Sequence, residues 1–260
     1  HYIPPQVWAS RKWRIKGIKK YVDEVLCIFP FEIEMYQKEG INVHYCGHPL
    51  IKQLPEKADR EQFFAKHGLD TTRPLVSIFP GSRTIELRFL ANTFIKSAKQ
   101  LQKKHPEIQF CISHAPNLSD DIFDKYINGT DFKVIKGENQ ALLSISDSLI
   151  LASGTVALEA ALYQIPMIIG YKGPWILYLA YLLVRCIKKV SLPNIITGED
   201  IVPELIQAKF NTENICYETE KNLYNKEYRI GFIKALGMVK EKLSDKYSAE
   251  EVANEIIKAL

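Results

Sequence analysis

The chain has 260 residues, which is enough for one large α/β domain or for one complete domain with part of another. Apolar residues make up 47% of it and charged residues 25%, a composition that excludes a disordered protein. The net charge of +4 is too small to indicate a nucleic-acid partner by itself.

Five scattered cysteines include no Cys-x-x-Cys pair, so neither a disulfide framework nor a zinc knuckle fits. This pattern favours a reducing cytosol. His44 and His48 are four residues apart, but they flank a strand-like stretch that ends in a turn, where the geometry of a helical metal site does not arise. We therefore predict neither a metal nor a cofactor.

Strand-like sequence begins the chain at His1, and we expect a further N-terminal region to precede it. The pattern that follows is a β-α-β-α-β succession with short connections, which is typical of a parallel sheet. After the opening strand its predicted elements are a helix from about residue 11, a strand at 23–29, a helix from Pro30 to Gly40 and a strand at 41–46.

A polar stretch at 53–73, with one amphipathic helix at about 59–67, is interpreted as a linker. The alternation then resumes, with strands at 75–79, 108–113, 132–135, 148–151 and 166–170, helices at about 85–104, 118–127, 138–145 and 155–163, and three helical stretches after Asn211. The predicted fold class is α/β. Residues 1–52 end a first Rossmann-like domain, 74–240 form a complete doubly wound parallel-sheet domain, and 241–260 form a C-terminal helix able to pack back on the first domain.

One segment departs from this alternation. Residues 174–184 are apolar on every face and are followed by Arg185, Lys188 and Lys189. The segment is too short to span a bilayer, which takes about 20 residues. It is either a buried helix of a large domain or an apolar element with a basic margin that enters a membrane surface or holds acyl chains. A second basic stretch comes before the first acid, and comprises Arg11, Lys12, Arg14, Lys16, Lys19 and Lys20.

The strand at 75–79 breaks into the turn Pro80-Gly81-Ser82-Arg83 before the next helix. Gly81 permits a sharp turn with close backbone approach, Ser82 offers a hydroxyl and an N–H, and Arg83 is able to grip two phosphate oxygens. The alternative is an ordinary turn with a solvated arginine. This segment alone does not decide between the two.

A second strand-turn-helix segment is a stronger phosphate signal. Ser153, Gly154 and Thr155 stand where a helix begins, so unpaired N–H groups and the positive end of the helix dipole converge there. Glu159, one turn into this helix, is placed to accept hydrogen bonds from both ribose hydroxyls. The alternatives are a simple N-cap at Ser153 and dipole complementation by Glu159. Because both turns open at the same edge of a parallel sheet, a diphosphate-bearing ligand is the first hypothesis.

Several other kinds of site are not indicated by the sequence. It contains no Walker lysine and no Gly-x-Gly-x-x-Gly, which removes the P-loop and dinucleotide-binding interpretations. The pair Asp120-Asp121 lies in loop-like sequence and is given no catalytic role. No Ser-His-Asp or Cys-His arrangement is legible.

Eight short motifs occur in an order that is far more specific than any one of them, namely Tyr2-Ile3-Pro4-Pro5-Gln6-Val7-Trp8-Ala9, Phe29-Pro30-Phe31-Glu32, Gly47-His48-Pro49-Leu50, Pro80-Gly81-Ser82-Arg83, Ala152-Ser153-Gly154-Thr155, Tyr171-Lys172, Leu192-Pro193-Asn194 and Pro203-Glu204-Leu205-Ile206-Gln207. Together they resemble the C-terminal two-thirds of the lipid-A-disaccharide synthase family, over nearly the whole chain.

The resemblance implies a GT-B glycosyltransferase, in which two Rossmann-like domains face each other across a cleft and the C-terminal one holds most of the sugar nucleotide. Enzymes of this family transfer 2,3-diacylglucosamine from UDP-2,3-diacylglucosamine to 2,3-diacylglucosamine 1-phosphate, giving lipid A disaccharide 1-phosphate and UDP. The anomeric centre is inverted, and no metal is needed. The general base and the acceptor site are expected before the first residue, so this chain alone is expected to bind UDP even if it catalyses nothing.

By the same resemblance, Glu159 would hold the ribose, while Asn194 and Gln207 would line the donor-sugar side. The diphosphate would be held, and its charge stabilised as UDP leaves, by residues of the two turns, namely Gly81, Ser82, Arg83, Ser153, Gly154 and Thr155.

Both substrates are acylated, so the resemblance implies a cytoplasmic enzyme bound peripherally to the inner membrane of a Gram-negative cell. It favours membrane contact by the basic residues of 11–20 and by the apolar segment with its margin, through Trp175, Leu179, Leu182, Arg185 and Lys188. A homodimer is compatible with it, and nucleic acid is not an expected partner.

Two alternatives stay open at the level of the sequence. Another UDP-N-acetylglucosamine enzyme of GT-B shape, such as the muramoyl-lipid transferase or the 2-epimerase, would keep the nucleotide and change the chemistry. Val7-Trp8-Ala9 and Pro193-Asn194 argue against it. The other alternative is a truncated UDP-binding fragment without activity.

Overall fold

The computed structural model describes residues 1–9, 12–176, 178, 188–243, 246 and 248–259. Within these residues the strands form two separate parallel sheets, one of two strands and one of six. Leu179, Leu182 and Arg185, which were predicted to contact a membrane, lie outside the described residues, and so does Arg11.

The smaller sheet pairs β1 (Glu24–Cys27) with β2 (Asn42–Tyr45), and a bridge from Tyr2 to Leu26 extends it. A 3₁₀ turn leads into the first of its helices, which are α1 (Ile15–Tyr21), α2 (Phe31–Lys38) and α3 (Leu50–Gln53). The predicted alternation of this unit is confirmed, although each element is shorter than expected.

The larger sheet consists of β3 (Leu75–Phe79), β4 (Gln109–His114), β5 (Lys133–Lys136), β6 (Ser148–Ala152), β7 (Met167–Tyr171) and β8 (Glu204–Ile206). Its order is β5-β4-β3-β6-β7-β8, and every neighbouring pair is parallel. The chain starts in the middle, runs outward through β5, then returns to β6 and runs outward on the other side. The strand order therefore reverses between β3 and β6, which is where doubly wound sheets bind ligands.

Alternate residues of the central strands enter two different cores, because successive side chains of a strand point to opposite faces. Val76 and Ile78 pack on one face with Phe94. Leu75 and Phe79 pack on the other face. Since both faces are covered, the strand is buried along its whole length, and the prediction of a doubly wound parallel sheet is confirmed.

Eight more described helices cover these faces, namely α4 (Arg60–His67), α5 (Thr84–Lys104), α6 (Asp120–Ile127), α7 (Asn139–Ile145), α8 (Val156–Leu162), α9 (Leu192–Thr197), α10 (Thr212–Tyr224) and α11 (Lys226–Leu243). The last described helix is α12 (Ser248–Ala259). The sequence analysis missed α3, α9 and β8. Each of these elements has six residues or fewer, too few for an apolar period to show.

Three motifs of the first unit meet around the buried carboxylate of Glu32. Trp8 Nε1 donates to it at 2.9 Å, and the backbone N–H of Phe29 donates at 3.1 Å. Burial raises the pKa of Glu32 to about 7. His48 lies against the ring of Phe29, with centroids 5.1 Å apart, and its burial lowers its pKa to about 4. These contacts hold the three motifs against one another.

The last helix lies against the smaller sheet. Ser248 Oγ is 2.7 Å from the hydroxyl of Tyr2, and Glu255 Oε2 is 4.0 Å from His44 Nδ1. At Gly47 a Cβ would stand 2.4 Å from the carbonyl oxygen of Lys246, so only glycine fits beside Lys246.

Candidate functional site

A cavity of about 460 Å³ lies at the carboxyl edge of the larger sheet, where the strand order reverses. Turns after four strands converge on it, those of β3, β4, β5 and β6. Its polar or turn-forming lining residues are Gly81, Ser82, Arg83, Glu86, Ser113, Asn139, Gln140, Ser153, Gly154, Thr155 and Glu159. The structure thus brings together seven of the nine residues predicted for the UDP-sugar site.

The turn after β3 is shaped by a contact that the sequence analysis did not anticipate. Gly81 has φ of +109°, and a Cβ there would stand 2.3 Å from Glu86 Oε2. That carboxylate oxygen accepts hydrogen bonds from the N–H groups of Ser82, at 2.8 Å, and Arg83, at 3.2 Å. The N–H groups predicted to face a phosphate are therefore occupied by a carboxylate. A glutamate three residues after the helix N-cap is the sequence signal for such a contact.

The guanidinium of Arg83 stands at the mouth of the cavity. Its side chain is 77% exposed, and its Nη1 lies 3.7 Å from Glu86 Oε1. The turn is held from the β4 side by Asn117, whose Nδ2 donates to the carbonyl of Ser82 at 2.6 Å. An exposed cation at this distance from its partner is free to turn toward an anionic ligand.

The second turn leads into α8. The first hydrogen bond of that helix runs from Ala157 N to Gly154 O at 3.2 Å, so the preceding N–H groups lie outside the helical ladder. Thr155 is the N-cap residue, and no side chain caps the helix. The hydroxyl of Ser153 instead points to the carbonyl of Val190 at 3.5 Å. The simpler interpretation of Ser153 as an N-cap is therefore wrong.

Glu159 faces the same cavity from the first turns of α8. Burial raises the pKa of its carboxyl, and a hydrogen bond with Gln140 partly offsets this shift. A half-buried carboxylate beside a cavity is suited to accepting hydrogen bonds from hydroxyl groups.

The opposite wall comes from the turns after β4 and β5. Ser113 Oγ donates to Asn139 Oδ1 at 2.8 Å, which orients the amide of Asn139, and Gln140 follows it at the start of α7. Sequence reasoning missed these residues, since single Ser, Asn and Gln residues carry no motif. Only the adjacency of β4 and β5 in the sheet brings them to the site.

Asn194 and Gln207 are not among the lining residues of this cavity. Asn194 is 1% exposed and is bonded through both amide atoms to the backbone of Val202 and through Nδ2 to Glu204. Gln207 holds the loop after β7, since its amide bonds both the N–H and the carbonyl of Gly173 at 3.2 Å. Their assignment to the donor-sugar side stays a prediction.

A larger cavity, of about 750 Å³, lies beside the edge strand β8 and against α10 and α11. Asn194, Glu204 and Lys221 are among its lining residues. Glu204 Oε1 already accepts hydrogen bonds from Ser191 N, Ser191 Oγ and Asn194 Nδ2 at 2.7 to 2.8 Å. The carboxylate of Glu204 thus ties the chain before α9 to β8.

Among the described residues, one group could be considered for a metal ion, comprising Glu24, His44 and Glu255. The ring of His44 turns Nε2 to Glu24, at 2.7 Å, and Nδ1 to Glu255, at 4.0 Å. The imidazole thus lies between the two carboxylates and contacts that of Glu24.

Exposed aromatic and apolar side chains occur in two basic regions. Trp175 is 56% and Ile176 81% exposed, at the described start of the apolar segment, and Lys188 at its margin is exposed as well. Around α1, Trp13 is 62% and Tyr21 76% exposed. No helix among the described residues has the length and apolar character needed to cross a bilayer.

The sequence model of the lipid-A-disaccharide synthetase family matches residues 1–257. The chain is 36% identical to the lipid-A-disaccharide synthase of Geobacter sulfurreducens over 100% of its length and 68% of that protein's, and 37% identical to the one of Trichlorobacter lovleyi over 94% and 64%. The synthase of Coxiella burnetii is 35% identical over 98% of this chain and 68% of its own. The chain thus spans about two thirds of the length of these curated relatives.

Solved structures share the fold at low sequence identity. UDP-GlcNAc 2-epimerase of Neisseria meningitidis, bound to UDP-GlcNAc, is 14% identical with a TM-score of 0.63, over 91% of this chain and 62% of that one. WaaG, a glycosyltransferase involved in lipopolysaccharide biosynthesis, is 15% identical with a TM-score of 0.50, over 95% and 69%. The predicted GT-B-like fold is confirmed.

Proposed function

This chain belongs to the lipid-A-disaccharide synthase family, glycosyltransferases of lipid A biosynthesis, and on that premise we propose that its cavity between β3 and β6 binds the UDP moiety of an acylated sugar donor. The observation that carries the proposal is the convergence of both predicted turns and Glu159 on one cavity at the point where the strand order reverses.

Each part of the nucleotide has a counterpart in the lining. Arg83 and the N–H groups that precede α8 suit the diphosphate. The carboxylate of Glu159 suits the ribose hydroxyls, and the amides of Asn139 and Gln140 are the polar groups left for the uracil. Gly81 and Ser82 shape the first turn, and we keep Asn194 and Gln207 as proposed residues of the donor-sugar side.

We propose the family's reaction for the whole protein. A hydroxyl of 2,3-diacylglucosamine 1-phosphate attacks the anomeric carbon of UDP-2,3-diacylglucosamine, the bond from that carbon to the diphosphate oxygen breaks, and UDP leaves with the electron pair. The hydroxyl proton passes to a general base. Arg83 and the N–H groups that precede α8 would stabilise the charge on the departing UDP. The base and the acceptor site would lie in the third of the family's length that this chain does not span.

We also propose the division into an acceptor-side part at 1–52, a linker at 53–73, a UDP-sugar domain at 74–240 and a returning helix at 241–260. The two separate sheets support it. Because both substrates are acylated, we propose a peripheral position on the inner membrane, with Trp175, Ile176 and the basic surface of α1 facing the lipid. A homodimer is part of this proposal and rests on the resemblance alone.

The test is calorimetric titration of the chain with UDP. The parent should bind, and an Arg83→Ala, Glu159→Ala double variant should lose binding. The matched control is an Arg88→Ala, Glu213→Ala double variant, which removes the same two charges from exposed positions outside the cavity. If the folded parent did not bind UDP, the proposal that the residues of this chain suffice to form the UDP site would be contradicted.

A further inference from the structure

A smaller cavity of about 260 Å³ adjoins the proposed UDP cavity. The two share four lining residues, Arg83, Glu86, Ala152 and Ser153. A ligand with its diphosphate at Arg83 and Ser153 therefore lies at the opening of both cavities.

The walls of the smaller cavity are mainly apolar. Ile85, Phe89 and Leu90 of α5 form one side, and Tyr171, Pro174 and Tyr178 form the other. Ile85 is 52% and Tyr171 41% exposed, so apolar groups at the mouth face solvent when nothing is bound. An exposed apolar patch next to a polar cavity is typical of a binding site for a ligand that has one polar and one apolar part.

The cavity also leads to the exposed start of the apolar segment. The ring of Tyr178 meets the ring of Trp175 edge to face, with centroids 5.9 Å apart, and Ile176 beside it is 81% exposed. Apolar surface thus continues outward from the cavity wall, which allows a chain longer than the cavity to emerge along it.

Resting on the proposed function, we propose that this cavity holds the first part of one acyl chain of the sugar-nucleotide donor. At about 30 Å³ for each water-sized group, its volume takes roughly nine such groups, which suits part of one chain and not two whole chains. Each methylene buried there should strengthen binding about fourfold.

The test compares three ligands, UDP, UDP-GlcNAc and a UDP-2,3-diacylglucosamine with acyl chains short enough to stay monomeric in water. The parent should bind the acylated nucleotide at least tenfold more tightly than UDP-GlcNAc. The variant Ile85→Gln should lose most of this gain while its affinity for UDP stays within about twofold, because Ile85 faces only the smaller cavity. The control Ile230→Gln, at a position 58% exposed on α11, should keep both the affinity for UDP and the tighter binding of the acylated nucleotide.

A second variant tests the cavity without removing an apolar contact. Gly173 lies in its wall, and a Cβ there meets no atom within 4 Å, so Gly173→Val should fold and narrow the cavity. Like Ile85→Gln, this variant should lose most of the difference in affinity between the acylated nucleotide and UDP-GlcNAc. The proposal is overturned if the parent shows no gain, or if the gain survives in either folded variant. A parent that fails to bind even UDP would contradict the proposed function instead, so the two failures are distinguishable.

Discussion

The side chain of Glu86 accepts a hydrogen bond from the backbone N–H of Ser82 at 2.8 Å, within the turn that was predicted to hold a phosphate. A second N–H of the turn donates to the same oxygen, and a Cβ on Gly81 would collide with it. The carboxylate therefore stabilises the turn and at the same time places a negative charge where a diphosphate would approach.

We expect Glu86→Gln to bind UDP more tightly than the parent, by about threefold to tenfold at low ionic strength. The amide oxygen can still accept one N–H, while the like-charge repulsion, worth about 1 kcal/mol or more at 4 Å, is removed. Calorimetry in low salt measures the change. Glu213→Gln, the same substitution at an exposed position of α10, should leave UDP affinity unchanged. Weaker binding by a folded Glu86→Gln variant would mean that the carboxylate organises the turn and does not compete with the ligand.

Glu159 should make nucleotide binding depend on pH. Burial raises the pKa of its carboxyl, so the group becomes protonated at a higher pH than an exposed glutamate does. If ribose hydroxyls donate to its ionised form, affinity should be full above the raised pKa and fall as the pH decreases through it. UDP-GlcNAc is the suitable ligand because its diphosphate is esterified at both ends and does not titrate in this range.

The matched variant is Glu159→Gln. At neutral pH it should bind UDP-GlcNAc more weakly than the parent, and its affinity should not vary with pH in the acid range. Arg88→Ala provides a binding control with the titrating carboxyl intact. If the affinity of Glu159→Gln depended on pH in the same way as that of the parent, Glu159 would not be the group that binds the ribose.

Glu32 should govern part of the pH dependence of stability. Its pKa is raised from 4.5 to about 7 by burial, so the folded state favours the protonated form. At Glu32 the unfolded chain binds fewer protons between these two values, so the contribution of Glu32 to stability should fall as the pH rises from about 4.5 to 7 and level off above that. Burial of His48, which lowers its pKa from 6.5 to about 4, contributes the opposite slope between those two values. A shift of this size corresponds to about 3 kcal/mol at most.

Urea unfolding at pH 5, 6, 7 and 8 measures this effect. The stability of the parent relative to Glu32→Gln should decline over this range, because the contribution of His48 is common to both proteins. Relative to Glu34→Gln, a substitution two residues away on an exposed side chain of the same helix, the parent should show no such decline. Parallel curves for the parent and Glu32→Gln would show that another group is responsible.

The exposed start of the apolar segment should contribute to membrane binding. Trp175→Ser with Ile176→Ser should weaken binding to vesicles of anionic phospholipid by about tenfold or more, since each large apolar side chain contributes about 1.5–3 kcal/mol on burial. UDP affinity should stay unchanged. Tyr217→Ser with Ile230→Ser replaces another exposed aromatic and aliphatic pair, 60% and 58% exposed, and should bind vesicles as the parent does. Equal loss of vesicle binding with both pairs would show that replacing any two exposed apolar side chains has this effect.

Much of this architecture was legible in the sequence because it depends on local patterns. Short, mostly apolar runs such as 75–79 and 148–151 predict buried parallel strands, and glycine with small polar residues after each run predicts a turn at the carboxyl edge. Glu159 was identified in the same way, by one carboxylate in an apolar helix. The fold class and the residues of both turns therefore needed no tertiary information.

The rest was decided by which segments become neighbours. Ser113 and Asn139 reach the cavity because β4 and β5 pair in the sheet, and no spacing in the chain records that pairing. Asn194 and Gln207 belong to strong motifs, yet their amides are taken up by backbone groups of neighbouring loops. A polar side chain bonds whichever groups are left unsatisfied around it on folding. The sequence by itself determined that both turns meet at this edge of the sheet, and tertiary packing decided which polar groups line the cavity between them.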